Sequence, residues 1–450
     1  MKRLLYLFMA LLTFAGCKKS SFELAFDETP EVRTQKAVTK VNTILTTAPN
    51  GWIATLPTQA GGGYGFYITF DTNQVVTMYS DLADEYSGKA KTSTFRVKPN
   101  AGAMLIFDTY NSISLLNDPN PNSFGGVSGS GHKSDAEFIY DRSTEDSIIF
   151  TGKKYRQPFK LVKATAEQAK IYKEGGYKTA IEKFKNFFLT TSYPYIEIVS
   201  GAATLKTGLA FDFSTTLTAG KRVTMTGLLA DGKLSKITSK FAFKLDGADF
   251  LGTGLVYNGF TFVKALWKND TTLALYDSSG KEYIVKSSPV PLVPLSILIG
   301  EGYKIVVVPN ATTYPGWSTD FVSRRESAAK GVARWSAGSG SFKLQNITFN
   351  FNDVTKKLVV SVDIPDEKNA RSLTFNYTYT KSEAGIFKFN IGALGSSEAL
   401  IGPDLDPLLA QRINVDTFTL DYFKHPTTGA LLAQFTSVEH PDFVFTGGLQ

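Results

Sequence analysis

The chain has 450 residues, 43% hydrophobic and 20% charged, with a formal net charge of +7. That length allows two or three domains, each burying a core of its own, and the composition excludes a disordered chain. Lysine and arginine are scattered rather than gathered into a basic stripe with interleaved aromatics, so no nucleic-acid partner is expected.

The first seventeen residues set the compartment. Lys2 and Arg3 precede a compact apolar run, Leu4 to Leu12, and Phe14-Ala15-Gly16-Cys17 sets the only cysteine after small residues. The run falls well short of the roughly 20 residues needed to span a bilayer. Charged start, apolar core and terminal cysteine together read as a bacterial lipoprotein signal peptide over residues 1–17. Cys17 is then the lipid-attachment residue, carrying acyl chains such as palmitate and becoming the mature N-terminus. The expected location is a bacterial membrane, the outer one, with the face left open. Loss of Lys2 and Arg3 lowers the formal charge from +7 to +5. With Cys17 acylated, the mature body has no thiol for a disulfide or a nucleophile.

A polar tether, Lys18 to Glu23, follows. Thr29-Pro30-Glu31 then supplies an N-cap hydroxyl, a proline at the first helical position and an early acid, and Val38, Val41 and Ile44-Leu45 keep one apolar face. This predicts a helix that stops at Pro49-Asn50-Gly51, with Trp52 packing as a core aromatic. From Tyr64 the period changes to two. Segments near Tyr64–Phe70, Gln74–Ser80, Ser93–Lys98, Ala103–Phe107, Ile113–Asn117, Ala136–Asp141, Ser147–Thr151 and Phe159–Val162 read as about eight short strands of an antiparallel, barrel-like meander. Asn117 to Lys133, rich in Asn, Pro, Gly and Ser, is long for a loop and expected to be functional or disordered.

Thr165 with Gln168 predicts a capping box opening a second helix. After a break at Gly175-Gly176, Tyr177, Ile181, Phe184 and Phe187-Phe188 form an amphipathic face. Both helices end in Leu-Thr-Thr, at Leu45 and at Leu189, with a proline shortly after and a run of strands beyond, which suggests an internal duplication. Ser287-Ser288-Pro289-Val290-Pro291 and Pro294 mark a boundary. The remainder is again strand-rich, with only Pro403 to Gln411 reading as helical. The fold class is therefore mainly β: a helix plus meander at 18–163, a second at 164–290 and a C-terminal β-domain at 291–450.

Candidates for chemistry are few. The histidines, His132, His425 and His440, are far apart, so no metal site is expected. Gly61-Gly62-Gly63-Tyr64-Gly65 leads into a strand rather than a helix, which removes the dipole half of a phosphate cradle. It reads instead as a flexible lead-in whose backbone passes close to something. Asp81, Asp84 and Glu85, and Asp404 with Asp406, sit in turn-like contexts and are expected to be solvated. No nucleophile elbow or serine-triad order is visible, and no catalytic residue or cofactor is assigned. Trp267, Trp317 and Trp335 are candidate stacking platforms for a sugar or peptide.

Phe26-Asp27-Glu28-Thr29-Pro30-Glu31, Ala48-Pro49-Asn50-Gly51-Trp52, Gly62-Gly63-Tyr64-Gly65-Phe66-Tyr67 and Val76-Thr77-Met78-Tyr79-Ser80-Asp81 resemble an uncharacterised lipoprotein family of Bacteroidota, known only as a domain of unknown function. Its members are similar to accessory lipoproteins found with SusC/SusD-type outer-membrane uptake systems for oligosaccharides or peptides. The resemblance implies an accessory or binding lipoprotein, non-enzymatic, with a SusC/SusD-type transporter as partner and a glycan or peptide as ligand. It carries no catalytic residues. Two other readings remain open: a glycosidase-like hydrolase whose carboxylates meet only in the fold, and a structural or adhesive surface subunit.

Overall fold

A computed structural model describes residues 28–100, 102–201 and 203–450; Cys17 and the signal segment lie outside them. The protein is mainly β, and one architecture, an antiparallel meander of successive strands, occurs three times in the chain; only in the second sheet is a strand skipped, where Gly247–Phe250 pairs with Phe260–Trp267 and Leu255–Tyr257 pairs at its side. The C-terminal β-domain is thus a third copy of the pattern expected only twice.

The first sheet has eight strands and closes when Trp52–Pro57 pairs with Pro158–Lys163, in the register Trp52 opposite Lys163. The third closes through Ile305–Val308 and Val444–Leu449. The second has nine strands, and its edges meet at one bridge, where Tyr195 and Lys286 exchange backbone hydrogen bonds of 2.9 and 2.8 Å. Each meander surrounds its own apolar core.

Local chemistry explains the helices. Thr29 accepts a hydrogen bond from the backbone N–H of Val32, and Pro30–Thr46 follows with Val41 and Leu45 buried. Trp52 is fully buried against this helix and donates its indole N–H to the Leu45 carbonyl at 3.1 Å. The capping box of Thr165 and Gln168 opens Ala166–Lys173. Gly175, at φ 83°, then starts Gly176–Thr190, whose Tyr177, Ile181 and Phe184 face the second core.

Two expectations are corrected, and one open alternative is narrowed. Ile113 to Asn117 is not a strand: the Asn111 side chain accepts from the N–H groups of Ile113 and Ser114 at 2.9 and 3.0 Å and starts the helix Ser112–Leu116. Pro403 to Gln411 is not the only helical stretch of the C-terminal third, because Thr319–Val332 forms a helix capped by Ser318. It inserts between the first two strands of the third sheet, and Phe321 stacks on Phe445 at 4.9 Å. Asn117 to Lys133 is an ordered plug over the first barrel: it contains the short helix Pro121–Phe124, and His132 is fully buried, edge-on to Tyr64 at 6.1 Å.

Candidate functional site

The first two sheets are docked against each other along a seam that begins in the glycine-rich stretch. Strand Gly63–Phe70 is buried on nearly every residue, unlike a strand with one wet face. Tyr64, Phe66, Ile68 and Phe70 point into the first core. The alternate positions, Gly63, Gly65 and Tyr67, face the second sheet. A Cβ on Gly65 would lie 2.4 Å from the Phe243 carbonyl oxygen, and one on Gly62 would lie 2.3 Å from Lys221 Cβ. Only glycine permits this approach. The something that the lead-in passes close to is the second sheet.

Three cations of the second sheet complete the seam. Lys221 Nζ donates to Asp81 Oδ2 at 2.7 Å, with side-chain exposures of 2% and 0%. Asp81 therefore is not a solvated turn acid; it also accepts from the Phe243 backbone N–H at 2.9 Å. Around the ammonium lie the rings of Phe243, Phe241 and Tyr64, with centroids at 4.0, 4.6 and 5.7 Å. Burial lowers the Lys221 pKa while Asp81 opposes that shift. Burial, reinforced by the Asp81 charge, raises the Tyr64 pKa. Arg222 Nη2 donates to the carbonyls of Ala60 and Gly61 at 3.2 and 3.0 Å, and Lys240 Nζ to that of Thr58. The stretch thus presents carbonyl oxygens to cations, the reverse of a phosphate cradle, which presents N–H groups.

Beside the seam opens a cleft of about 600 Å³, within the range typical of small-ligand sites. One wall is the outer face of the first barrel, from strands Trp52–Pro57, Glu137–Ser143, Ser147–Gly152 and Pro158–Lys163. The other comes from the second sheet, from Leu234–Lys244, Gly247–Phe250 and Phe260–Trp267. Arg142, Lys160, Lys163, Lys244 and Lys264 line it, with Asp249 as the sole carboxylate of the lining. Lys244 lies 3.5 Å from Asp249. Burial raises the Asp249 pKa, while Lys244 and, across the cleft, Lys160 pull it back.

Both walls carry a backbone irregularity. Among the described strand ladders two register shifts occur, one between Tyr140 and Arg142 and one between Phe262 and Lys264. Each inserts one unpaired residue and re-aims its neighbours, as β-bulges do beside functional sites. The first precedes Arg142; the second lets Val263 and Lys264, adjacent in sequence, both line the cleft.

The candidate tryptophans are not brought together, and none lines this cleft. Trp267 is half-buried between Phe187, at 5.4 Å, and Lys183 Nζ, 4.6 Å from its ring. Trp317 donates to the Thr446 carbonyl at 2.9 Å and is covered by Phe321 and Arg325. Trp335 donates to Asp404 Oδ2 at 2.6 Å. Asp404 also accepts from Arg334, so it is an anchored carboxylate rather than a solvated one. Asp84 faces Lys185 at 3.7 Å and Glu85 pairs with Lys91 at 2.6 Å. Cys17 lies outside the described residues.

Beyond the seam and the cleft, sequence reasoning also missed a side-chain cluster in the third sheet. Ser437 Oγ donates to Asp416 Oδ2 at 2.7 Å, and His440 Nδ1 lies 3.0 Å from the same oxygen. A hydrolytic triad needs the imidazole between serine and carboxylate. Here the buried carboxylate is in the middle, so His440 cannot take the Ser437 proton, and the group fastens the hairpin end instead. Among the described residues, no three His, Cys, Asp or Glu side chains converge to hold a metal ion.

Fold and site together define a tandem β-barrel scaffold whose first two sheets share a buried seam and a cation-lined cleft. The chain belongs to the family described as a domain of unknown function, DUF4302, whose model matches residues 23–269. No curated protein matches the chain. The matched span includes every residue lining the cleft and both partners of the Asp81–Lys221 pair. The family model covers the first barrel and the second sheet as far as Phe260–Trp267, stopping before that sheet's last two strands, Leu273–Asp277 and Glu282–Ile284.

Proposed function

We propose that this chain is a lipid-anchored accessory lipoprotein of an outer-membrane nutrient uptake system, and that it holds a ligand in the cleft between its first two sheets without cleaving it. The observation that carries this reading is the cleft itself: about 600 Å³, walled by both halves of the family domain, with a bulge re-aiming side chains in each wall. Its polar lining is made of positioned cations, one carboxylate and the neutral side chains of Thr55 and Gln168, with no serine, cysteine or histidine, which suits retention better than bond cleavage. Cys17 supplies the tether, and a SusC/SusD-type transporter is the expected neighbour.

The test has two arms. Cells grown with an alkyne analogue of palmitate should label the native chain and fail to label Cys17→Ser, which should leave the membrane fraction. Cross-linking in native outer membranes followed by mass spectrometry should recover a transporter with the native chain. Labelling that persists in Cys17→Ser, or recovery of the chain without any transporter, would count against the reading.

A further inference from the structure

Resting on the reading of the cleft as the binding site, we infer that its ligand is an acidic peptide with aliphatic side chains. Charge gives the first half of the argument. Five cations and one carboxylate line the space. Asp249 faces Lys244 at 3.5 Å, and Arg142 is paired with Asp141 at 2.5 Å. Lys160, Lys163 and Lys264 make no ion pair among the described residues. Lys160 and Lys163 belong to the first barrel and Lys264, whose ammonium lies 5.5 Å from the Tyr276 ring, to the second sheet, so both walls carry positive charge. A concave wall focuses such a field, and a ligand bearing carboxylates would be drawn to it.

The second half is the surface between the charges. Ile53, Ile149, Val162, Leu251 and Val263 contribute aliphatic lining. The only aromatic ring among the lining residues belongs to Phe250, which is 6% exposed. A pyranose packs its C–H face best on an open aromatic ring, and this cleft offers none. Leucine, isoleucine and valine side chains need only aliphatic contact and gain by leaving water. Thr55 and Gln168 add neutral polar groups able to meet a peptide backbone. Charge at the rim and aliphatic carbon between thus match a chain alternating acidic and aliphatic side chains.

The inference is tested by fluorescence anisotropy on the full chain in detergent. Three probes are used: a labelled octapeptide alternating Glu and Leu, its Gln and Leu counterpart, and a labelled oligogalacturonate. The Glu and Leu peptide should bind at least about tenfold more tightly than either other probe and weaken steeply with salt. Lys160→Gln/Lys264→Gln, one change on each wall, should weaken it at least about tenfold, while Lys154→Gln outside the cleft should leave it unchanged. Val162→Trp, which fills the cleft without altering charge, separates the two claims. If Val162→Trp abolishes binding but oligogalacturonate or the neutral peptide binds as well as the acidic peptide, the peptide assignment falls and the cleft stands. If the acidic peptide binds and Val162→Trp has no effect, or if no probe binds, the cleft is not the site and both claims fall.

Discussion

Replacing Lys221 with methionine should be among the most damaging single changes in the first two sheets. The substitution keeps most of the side-chain volume and its contact with Phe241 and Phe243, so little packing is lost. What it removes is the partner of Asp81. That carboxylate is fully buried, with one oxygen held by Lys221 and the Phe243 N–H; the other, Oδ1, has no hydrogen-bond partner. Without Lys221 a single backbone N–H faces a buried negative charge. Breaking a buried pair from one side costs about 3–5 kcal/mol, which for a unit of this size lowers Tm by roughly 6–20 °C. Asp81→Asn should cost a comparable amount by stranding the ammonium, and Asp81→Leu/Lys221→Met should recover most of the loss because neither charge remains. Urea unfolding followed by circular dichroism measures all three. A loss below about 1 kcal/mol for Lys221→Met, the behaviour of an exposed pair, would refute the account of the seam, as would a double variant no better than the worse single one.

Gly65→Ala should force the sheets apart, since its Cβ would lie 2.4 Å from the Phe243 carbonyl oxygen; a cost of about 1–3 kcal/mol is expected, with faster proteolysis between Lys163 and Ala166, and an unchanged digestion pattern would speak against a tight seam. Trp335→Phe should cost roughly 1.5–3 kcal/mol by removing the indole N–H from Asp404, measured as the thermal midpoint of the third barrel; a change within error would mean that the anchor is ornamental. Asp366 gives the pH test: the backbone N–H of Lys368, with Arg371 and Asn369 donating as well, pulls its pKa from 3.8 down to about 2. The folded value lies below the unfolded one, so the stabilisation is present above about pH 4 and is lost as pH falls towards about 2. Asp366→Asn should flatten that acid limb in urea titrations, and an equal slope in the native chain and the variant would sink this assignment.

The helices announced by caps were readable because capping is local: Thr29-Pro30, and Thr165 with Gln168, decide their helices within one turn. The meander was readable for a similar reason, since alternation survives wherever one face is buried. The helix Thr319–Val332 escaped because Arg325 occupies its buried stripe, its Nη2 donating to the Gln345 carbonyl at 2.8 Å and its guanidinium packed on Trp317. A charge inside an apolar face breaks the very pattern that reveals a helix. The glycine run pointed to a close approach but not to its partner, because Lys221 and Asp81 are 140 positions apart and a lysine beside an arginine reads as solvated surface. The cleft was beyond reach for a further reason. A bulge is one extra residue in an alternating run, and Tyr140-Asp141-Arg142 carries no mark that its middle member is unpaired.

The contacts that Arg222 and Lys240 make with the stretch from Thr58 to Gly61 are directed at main-chain oxygen atoms. Most of that recognition is indifferent to which side chains the stretch displays. Substitutions at Gln59 or Ala60 can accumulate without loosening the assembly, whereas any side chain at Gly62 or Gly65 wedges it open. Random mutagenesis scored for joint unfolding of the two sheets should therefore return a permissive segment set directly against an intolerant one. The cation-bearing strands opposite would tolerate only changes that keep a donor able to reach across.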